Sequence, residues 1–291
     1  MEEASNPVPV PGVQFKERRL TVEQGVSLKL YEWLPEMNGG ADPILFVAGW
    51  ISLVTGWVPL LEKLVQTRPI FYLETREKES ADIAPDLMRP ESFSVARLAE
   101  DLVEVSNQLE LEGDRTILFG SSMGSNAILE ALKDEQLKAK AAFVVGPNIE
   151  FHFPWWGRPL VHLPPWVYSA AKPFVLWYLR SFRVNVREDP EQMARYVRTI
   201  RAADPERIML SAQAVLDYEA MPGLDTILTP VAVAYAANDT LHGEDEVARI
   251  VEAMPRGVTV SCPSNTYMHT ADVAVDLDRF IAAVDKNAGR V

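Results

Sequence analysis

Thr116-Ile117-Leu118-Phe119-Gly120-Ser121-Ser122-Met123-Gly124-Ser125-Asn126-Ala127-Ile128-Leu129-Glu130-Ala131-Leu132-Lys133 changes its period part-way along. Up to Phe119 it is a short apolar run without polar alternation, the pattern of a strand covered on both faces. From Met123 to Lys133 the apolar residues follow helical spacing. Gly120-Ser121-Ser122-Met123-Gly124 joins the two, in the pattern G-x-S-x-G. A serine on so sharp a strand-to-helix turn is held in a strained conformation that exposes its hydroxyl. The two glycines give room for the turn and for close helix–strand approach. The helix N-terminus aims its free N–H groups at any negative charge that develops beside that hydroxyl.

The same alternation extends on both sides. Apolar runs stand at Ile44–Ala48, Ile70–Leu73, Ala141–Val145, Val231–Ala236 and Val258–Ser261. Helical spacing recurs at Val58–Gln66, Val95–Leu109, Glu244–Ala253 and Ala271–Val284. Strands and helices in turn predict a doubly wound α/β sheet, mostly parallel, flanked by helices. Before it, Phe15–Val22 and Val26–Trp33 flank Glu23-Gln24-Gly25 and read as a hairpin. The rhythm breaks between Gly146 and Pro230, where Val167–Arg183, Pro190–Ala203 and Arg207–Glu219 are helix-like and no strand is evident. The expected division is a core of residues 1–146 and 223–291 with a helical cap inserted at 147–222.

Composition narrows the function. The chain has 291 residues, 48% apolar and 24% charged, enough apolar content to bury a full core. Its net charge of −13 repels phosphate backbones, so nucleic acid is not an expected partner. One cysteine, Cys262, cannot form an intrachain disulfide, and four histidines leave little for a zinc site. No metal and no cofactor are expected. The N-terminus has neither a basic start nor an apolar run of signal-peptide length, which reads as cytoplasmic. The most apolar stretch, Trp166 to Leu179, is interrupted by Lys172 and Pro173 and falls short of a membrane span.

With its serine turn in this setting, the sequence resembles the α/β-hydrolase fold family from about Phe15 to the C-terminus. The resemblance implies Ser122 as nucleophile, then an acid, then a histidine, each just after a strand at one end of the sheet. Asp239, in Ala237-Asn238-Asp239 after Val231–Ala236, matches the acid that would orient the histidine. His269, before the last helix, matches the general base a serine hydroxyl needs. His242 is the rival, but it lies only three residues beyond Asp239. The family's oxyanion hole takes one N–H from the residue after the nucleophile, here Met123, and one from the loop after the third strand. That loop is Val47-Ala48-Gly49-Trp50-Ile51, with Trp50 the donor by position and Ala48 where relatives often carry histidine. Many relatives carry Asp-x-Arg-Gly-x-Gly-x-Ser where this chain has Glu74-Thr75-Arg76-Glu77-Lys78-Glu79-Ser80. Two glycines are replaced by Glu77 and Glu79, so the loop is expected to be built differently, and no catalytic role is drawn from it. Asp101 is expected on a solvated or loop-facing side of its helix.

The insertion is rich in aromatics, among them Trp155, Trp156, Trp166 and Trp177. They read either as the core of a small helical cap or as an apolar tunnel for an acyl or aromatic group, with Trp50, Trp155 and Trp156 touching substrate. His152 and His162 are read as lid or substrate-lining residues. Arg158, Lys172, Arg180, Arg183 and Arg187 occur with no acidic residue between 151 and 187. They read as a solvated face, as a steering patch for an anionic substrate, or as a weak contact with a lipid surface. The expected activity is a serine hydrolase that cleaves a small-molecule carboxylic ester. A thioesterase or acyltransferase would use the same constellation, and a non-catalytic binding protein would keep the fold without the chemistry. Epoxide hydrolase or dehalogenase chemistry is disfavoured, because those relatives carry a carboxylate where Ser122 stands.

Overall fold

Short runs that are apolar at every position need cover on both faces, and the chain supplies it with helices. The computed structural model describes residues 6–288, apart from 38–39, 152, 154–156, 185, 188 and 237–243. Strands β1 (Val13–Glu23) and β2 (Val26–Pro35) form the antiparallel hairpin. Then follow β3 (Ile44–Val47), α1 (Val58–Leu64), β4 (Ile70–Leu73), a two-residue β5 (Asp82–Ile83) and α2 (Val95–Gln108). After these come β6 (Ile117–Ser121), α3 (Met123–Leu132) and β7 (Ala141–Val145). The insertion contributes α4 (Pro165–Tyr178), α5 (Pro190–Ala202) and α6 (Pro205–Ala214). The chain then resumes its alternation with β8 (Val231–Ala236), α7 (Glu244–Ala253), β9 (Gly257–Cys262) and α8 (Val273–Ala288).

The sheet order is β1-β2-β4-β3-β6-β7-β8-β9, with β5 paired to β2. From β4 to β9 all neighbours are parallel, while β2 meets β4 antiparallel. Every residue of β3, β4, β6, β7 and β8 is buried. Alternate residues feed two apolar layers. Leu45, Val47 and Leu118 pack with Leu98 and Leu102 of α2, Ile128 of α3 and Ile250 of α7. Ile44, Phe46 and Phe119 pack with Leu60 and Leu61 of α1 and with Leu277 and Ile281 of α8. The expectation of two covered faces fails at β9. It is the last strand in the order, and of its residues only Cys262 is buried.

An aromatic ladder crosses the parallel strands in register. Phe46 pairs with Tyr72 on one side and Phe119 on the other, and Phe119 pairs with Phe143. Their ring centroids lie 5.2, 4.5 and 5.7 Å apart, all stacked. Stacked aromatic pairs contribute about 0.5–1.5 kcal/mol each beyond their area burial. Phe119 is one of the two inner rungs and immediately precedes the serine turn, so Phe119→Ala should cost about 3–5 kcal/mol of stability. Urea unfolding of the purified variant checks this.

Candidate active site

Ser122 stands where β6 ends and α3 begins, with φ 49° and ψ −119°. A non-glycine residue pays about 1–3 kcal/mol for such a conformation and keeps it only where its surroundings over-determine it. Here they do. The Ser122 N–H donates to the Val145 carbonyl at 2.7 Å, and the Ser122 carbonyl accepts from Asn126 N–H at 3.0 Å. A Cβ at Gly120 would lie 2.7 Å from Ile128 Cδ1, and one at Gly124 2.6 Å from the Ala48 carbonyl oxygen. Both glycines are therefore required by close approach. Asn148, just after β7, donates from Nδ2 to Ser122 Oγ at a long 3.4 Å. Asn126 fixes Asn148 in turn: its Nδ2 donates to the Asn148 carbonyl at 2.7 Å and its Oδ1 accepts from Asn148 N–H at 3.0 Å.

His269 lies on a single turn, Tyr267–His269, between β9 and α8, and its ring packs 4.0 Å from that of Trp57. Ser122, His269, Gly49, Trp50 and Asn148 all line one cavity of about 660 Å³. The fold thus brings together the predicted nucleophile, the predicted base and the predicted oxyanion loop, and Met123 opens α3 beside them. Asp239 and its rival neighbour His242 lie outside the described residues, as do His152, Trp155 and Trp156. His162 is described; it is exposed and does not line the cavity.

The loop after β4 departs most from expectation. Arg76 is fully buried and grips Asp101 of α2 with two hydrogen bonds, at 2.6 and 2.7 Å, adding Glu23 at 2.9 Å. Asp101, expected at a solvated or loop-facing side, is only 1% exposed because that guanidinium faces it. Glu77 and Lys78 also turn inward. Lys78 Nζ donates to the Gly49 carbonyl at 2.8 Å and to Glu77 Oε1 at 2.7 Å. Glu77 Oε1 also accepts from Thr75 Oγ1 at 2.8 Å and from Ile51 N–H at 3.3 Å. A buried ion pair therefore grips the Gly49-Trp50-Ile51 loop from behind. It holds Ile51 at φ 51°, another strained non-glycine position. The peptide is planar and trans, so with the Gly49 carbonyl fixed on Lys78 the Trp50 N–H points the opposite way. In sequence a Glu-Lys-Glu run reads as a solvated loop. The missing glycines were the one sign that it turns differently.

A family model described as serine aminopeptidase, S33, a hydrolase family, matches residues 89–271. That span holds the Ser122 turn, the helical insertion and His269 and exceeds half of the chain. The chain belongs to this α/β-hydrolase family. No curated protein matches the sequence. Among solved structures it is similar to an esterase from Exiguobacterium antarcticum, at 15% identity and TM-score 0.72, covering 92% of this chain and 98% of that one. It is similar to a thermophilic esterase from Thermogutta terrifontis, at 17% identity and TM-score 0.69, over 95% and 98%. A bromoperoxidase from Bacillus anthracis is also similar, at 14% identity and TM-score 0.69, over 93% and 100%. At such identities the likeness is one of fold.

In this hydrolase the insertion is tied to both loops that flank Ser122. On α6, Ser211 Oγ accepts from the Trp50 indole at 2.8 Å, and Arg207 donates to the carbonyls of Lys78 and Ala81. On α5, Arg195 donates to Asn265 Oδ1 at 2.7 Å and Thr266 Oγ1 at 3.1 Å, while Asp189 accepts from the Thr266 N–H at 2.9 Å. Asn265 and Thr266 belong to the turn that carries His269.

Two outcomes follow for the Glu77–Lys78 pair. Breaking a buried ion pair from one side leaves an uncompensated charge, so Lys78→Met should cost about 3–5 kcal/mol in urea unfolding. Glu77→Gln combined with Lys78→Met should recover part of that loss. Burial pushes the Glu77 carboxyl up, but the Lys78 charge and the hydrogen bonds from Lys78 and Thr75 outweigh it and hold it below its ordinary 4.5. Its stabilising contribution is present above 4.5 and is lost as pH falls through the lower folded value. Unfolding midpoints measured against pH should show that acid-side loss in the parent and not in Glu77→Gln.

Proposed function

We propose that the chain is a serine hydrolase of carboxylic esters acting through an acyl-enzyme. Ser122 Oγ attacks the ester carbonyl while His269 takes its proton, and Asp239 orients the imidazole and stabilises its cationic form. The N–H groups of Met123 and Trp50 receive the oxyanion of the tetrahedral intermediate. Collapse breaks the C–O bond, and the alcohol leaves with the proton from His269. His269 then deprotonates a water, which attacks the acyl carbon and frees Ser122 and the carboxylic acid. The observation that carries this reading is Ser122 on a strained turn at a strand end, opening with His269 into one cavity.

The cavity wall speaks to the substrate. It is largely apolar, with Ile51, Val161, Val175, Leu179, Ile208 and Met209 among its residues. None of the described residues lining it is a carboxylate. An aminopeptidase site needs an anion for the substrate's terminal ammonium, because a buried charge must be paired. An ester with an apolar acyl or aromatic group fits better. We read α4, α5 and α6 as a cap that shapes this pocket, since Val161, Val175, Leu179, Ile208 and Met209 all come from the insertion.

Ser122→Ala and His269→Ala should each remain folded and lose several orders of magnitude in kcat, because members of such a unit fail together. On p-nitrophenyl esters, kcat/KM should rise about fourfold per added methylene until the pocket is full, from about 0.8 kcal/mol per buried methylene. Val175→Trp should move the optimum to shorter chains while leaving the acetate ester turned over. Near-normal turnover by Ser122→Ala contradicts the mechanism, and a flat chain-length profile contradicts the acyl pocket. The same series run as thioesters fixes the leaving group.

A further inference from the structure

Helix α4 carries apolar side chains both toward the cavity and away from it. Val167, Tyr168, Ala171, Val175 and Tyr178 face the cavity. At about 100° per residue, Trp166 and Trp177 fall on the far side, and Phe174 lies at the edge between the two faces. None of the helix's residues is buried. Trp166 is 71% exposed, Trp177 53% and Phe174 47%, and Phe182, on the turn that follows, is 64% exposed. Three of these rings form one patch: Phe174 lies 5.5 Å from Trp177, and Trp177 5.6 Å from Phe182. Contiguous exposed apolar surface of this kind marks an interaction site.

Charge identifies the partner. The one charged residue within α4, Lys172, is turned to the carbonyls at the end of α5, donating to Arg201 at 3.2 Å and Ala203 at 3.1 Å. Arg180, between Trp177 and Phe182 in the chain, and Arg187, five residues beyond Phe182, are exposed and form no hydrogen bond or ion pair among the described residues. Residues 151–187 hold five basic and no acidic residues, leaving −18 on the rest of the chain. We propose that the outer face of α4, with Phe182, Arg180 and Arg187, docks on the surface of an anionic phospholipid bilayer. Aromatic rings settle at the headgroup level and the arginines meet lipid phosphates. The acidic remainder is repelled and turns this face toward the surface. A second copy of the chain fits worse. Two-fold self-docking sets each arginine against the same patch, in which residues 151–187 offer no acid to pair it. Among the described residues no helix is long and apolar enough to cross a membrane, so the contact is interfacial.

Co-sedimentation of the full chain with large unilamellar vesicles tests this without any turnover, so its failure is distinct from failure of the serine chemistry. Vesicles of phosphatidylcholine mixed with phosphatidylglycerol should bind about tenfold or more tighter than phosphatidylcholine alone, with binding weakened by salt. Trp177→Ser with Phe182→Ser, and separately Arg180→Glu with Arg187→Glu, should each weaken binding about tenfold or more. Both variants should hydrolyse a short soluble ester at the parent rate, since none of these residues lines the cavity. No binding to the anionic vesicles, or parental binding by both variants, overturns the proposal. So does a concentration-dependent dimer, abolished by the aromatic variant, in a chain that ignores vesicles.

Discussion

A Cβ at Gly124 would land on the backbone oxygens of Val47 and Ala48, so α3 lies against the end of β3 with nothing between them. The rest of the site depends on that contact. It sets the first turn of α3 beside the Gly49-Trp50 loop, and it leaves Ser122 no room for an ordinary turn. The strain at Ser122 is offset by hydrogen bonds to Val145 and Asn126 and by the packed strands beneath, whose aromatic ladder passes just below it. A hydroxyl held this way is set in place before any substrate arrives, as the attack proposed for Ser122 requires.

The second constraint is that the loops around Ser122 are not held by the sheet alone. The buried Glu77–Lys78 pair fixes the Gly49 carbonyl and the Ile51 N–H, and α6 holds the same region through Ser211 and Arg207. The turn bearing His269 is held by Asp189 and Arg195 of the α5 end. The insertion thus walls the cavity and also braces both loops. A substitution in α5 or α6 that touches no substrate should therefore register at the reacting atoms. This makes the insertion harder to delete or swap than a detached cover.

The sheet was legible because its period is strong. Runs such as Ile44–Val47 and Val231–Ala236 read as buried parallel strands, and the serine turn between β6 and α3 pointed to the family, but their order across the sheet comes from the structure. Strand β9 forms where expected but is not covered on both faces: Val258 and Val260 look like core residues in sequence, and only the sheet order shows that they lie on an edge. The Arg76–Asp101 and Glu77–Lys78 pairs were invisible for a different reason. A charged residue carries the same letter whether it is solvated or buried against a partner, and these partners lie 25 residues away or in adjacent positions without periodic spacing. The outward ring cluster of α4 was likewise hidden. Aromatic content placed it in the insertion but not on which side of the helix.

The central claim is that Ser122 is a nucleophile activated by His269. The most direct measurement is covalent labelling with a fluorophosphonate, followed by peptide mapping, on the parent and on His269→Ala. The account predicts a single adduct on Ser122 in the parent and labelling slowed by orders of magnitude in His269→Ala. An adduct elsewhere, no adduct, or an unchanged rate without His269 would contradict it.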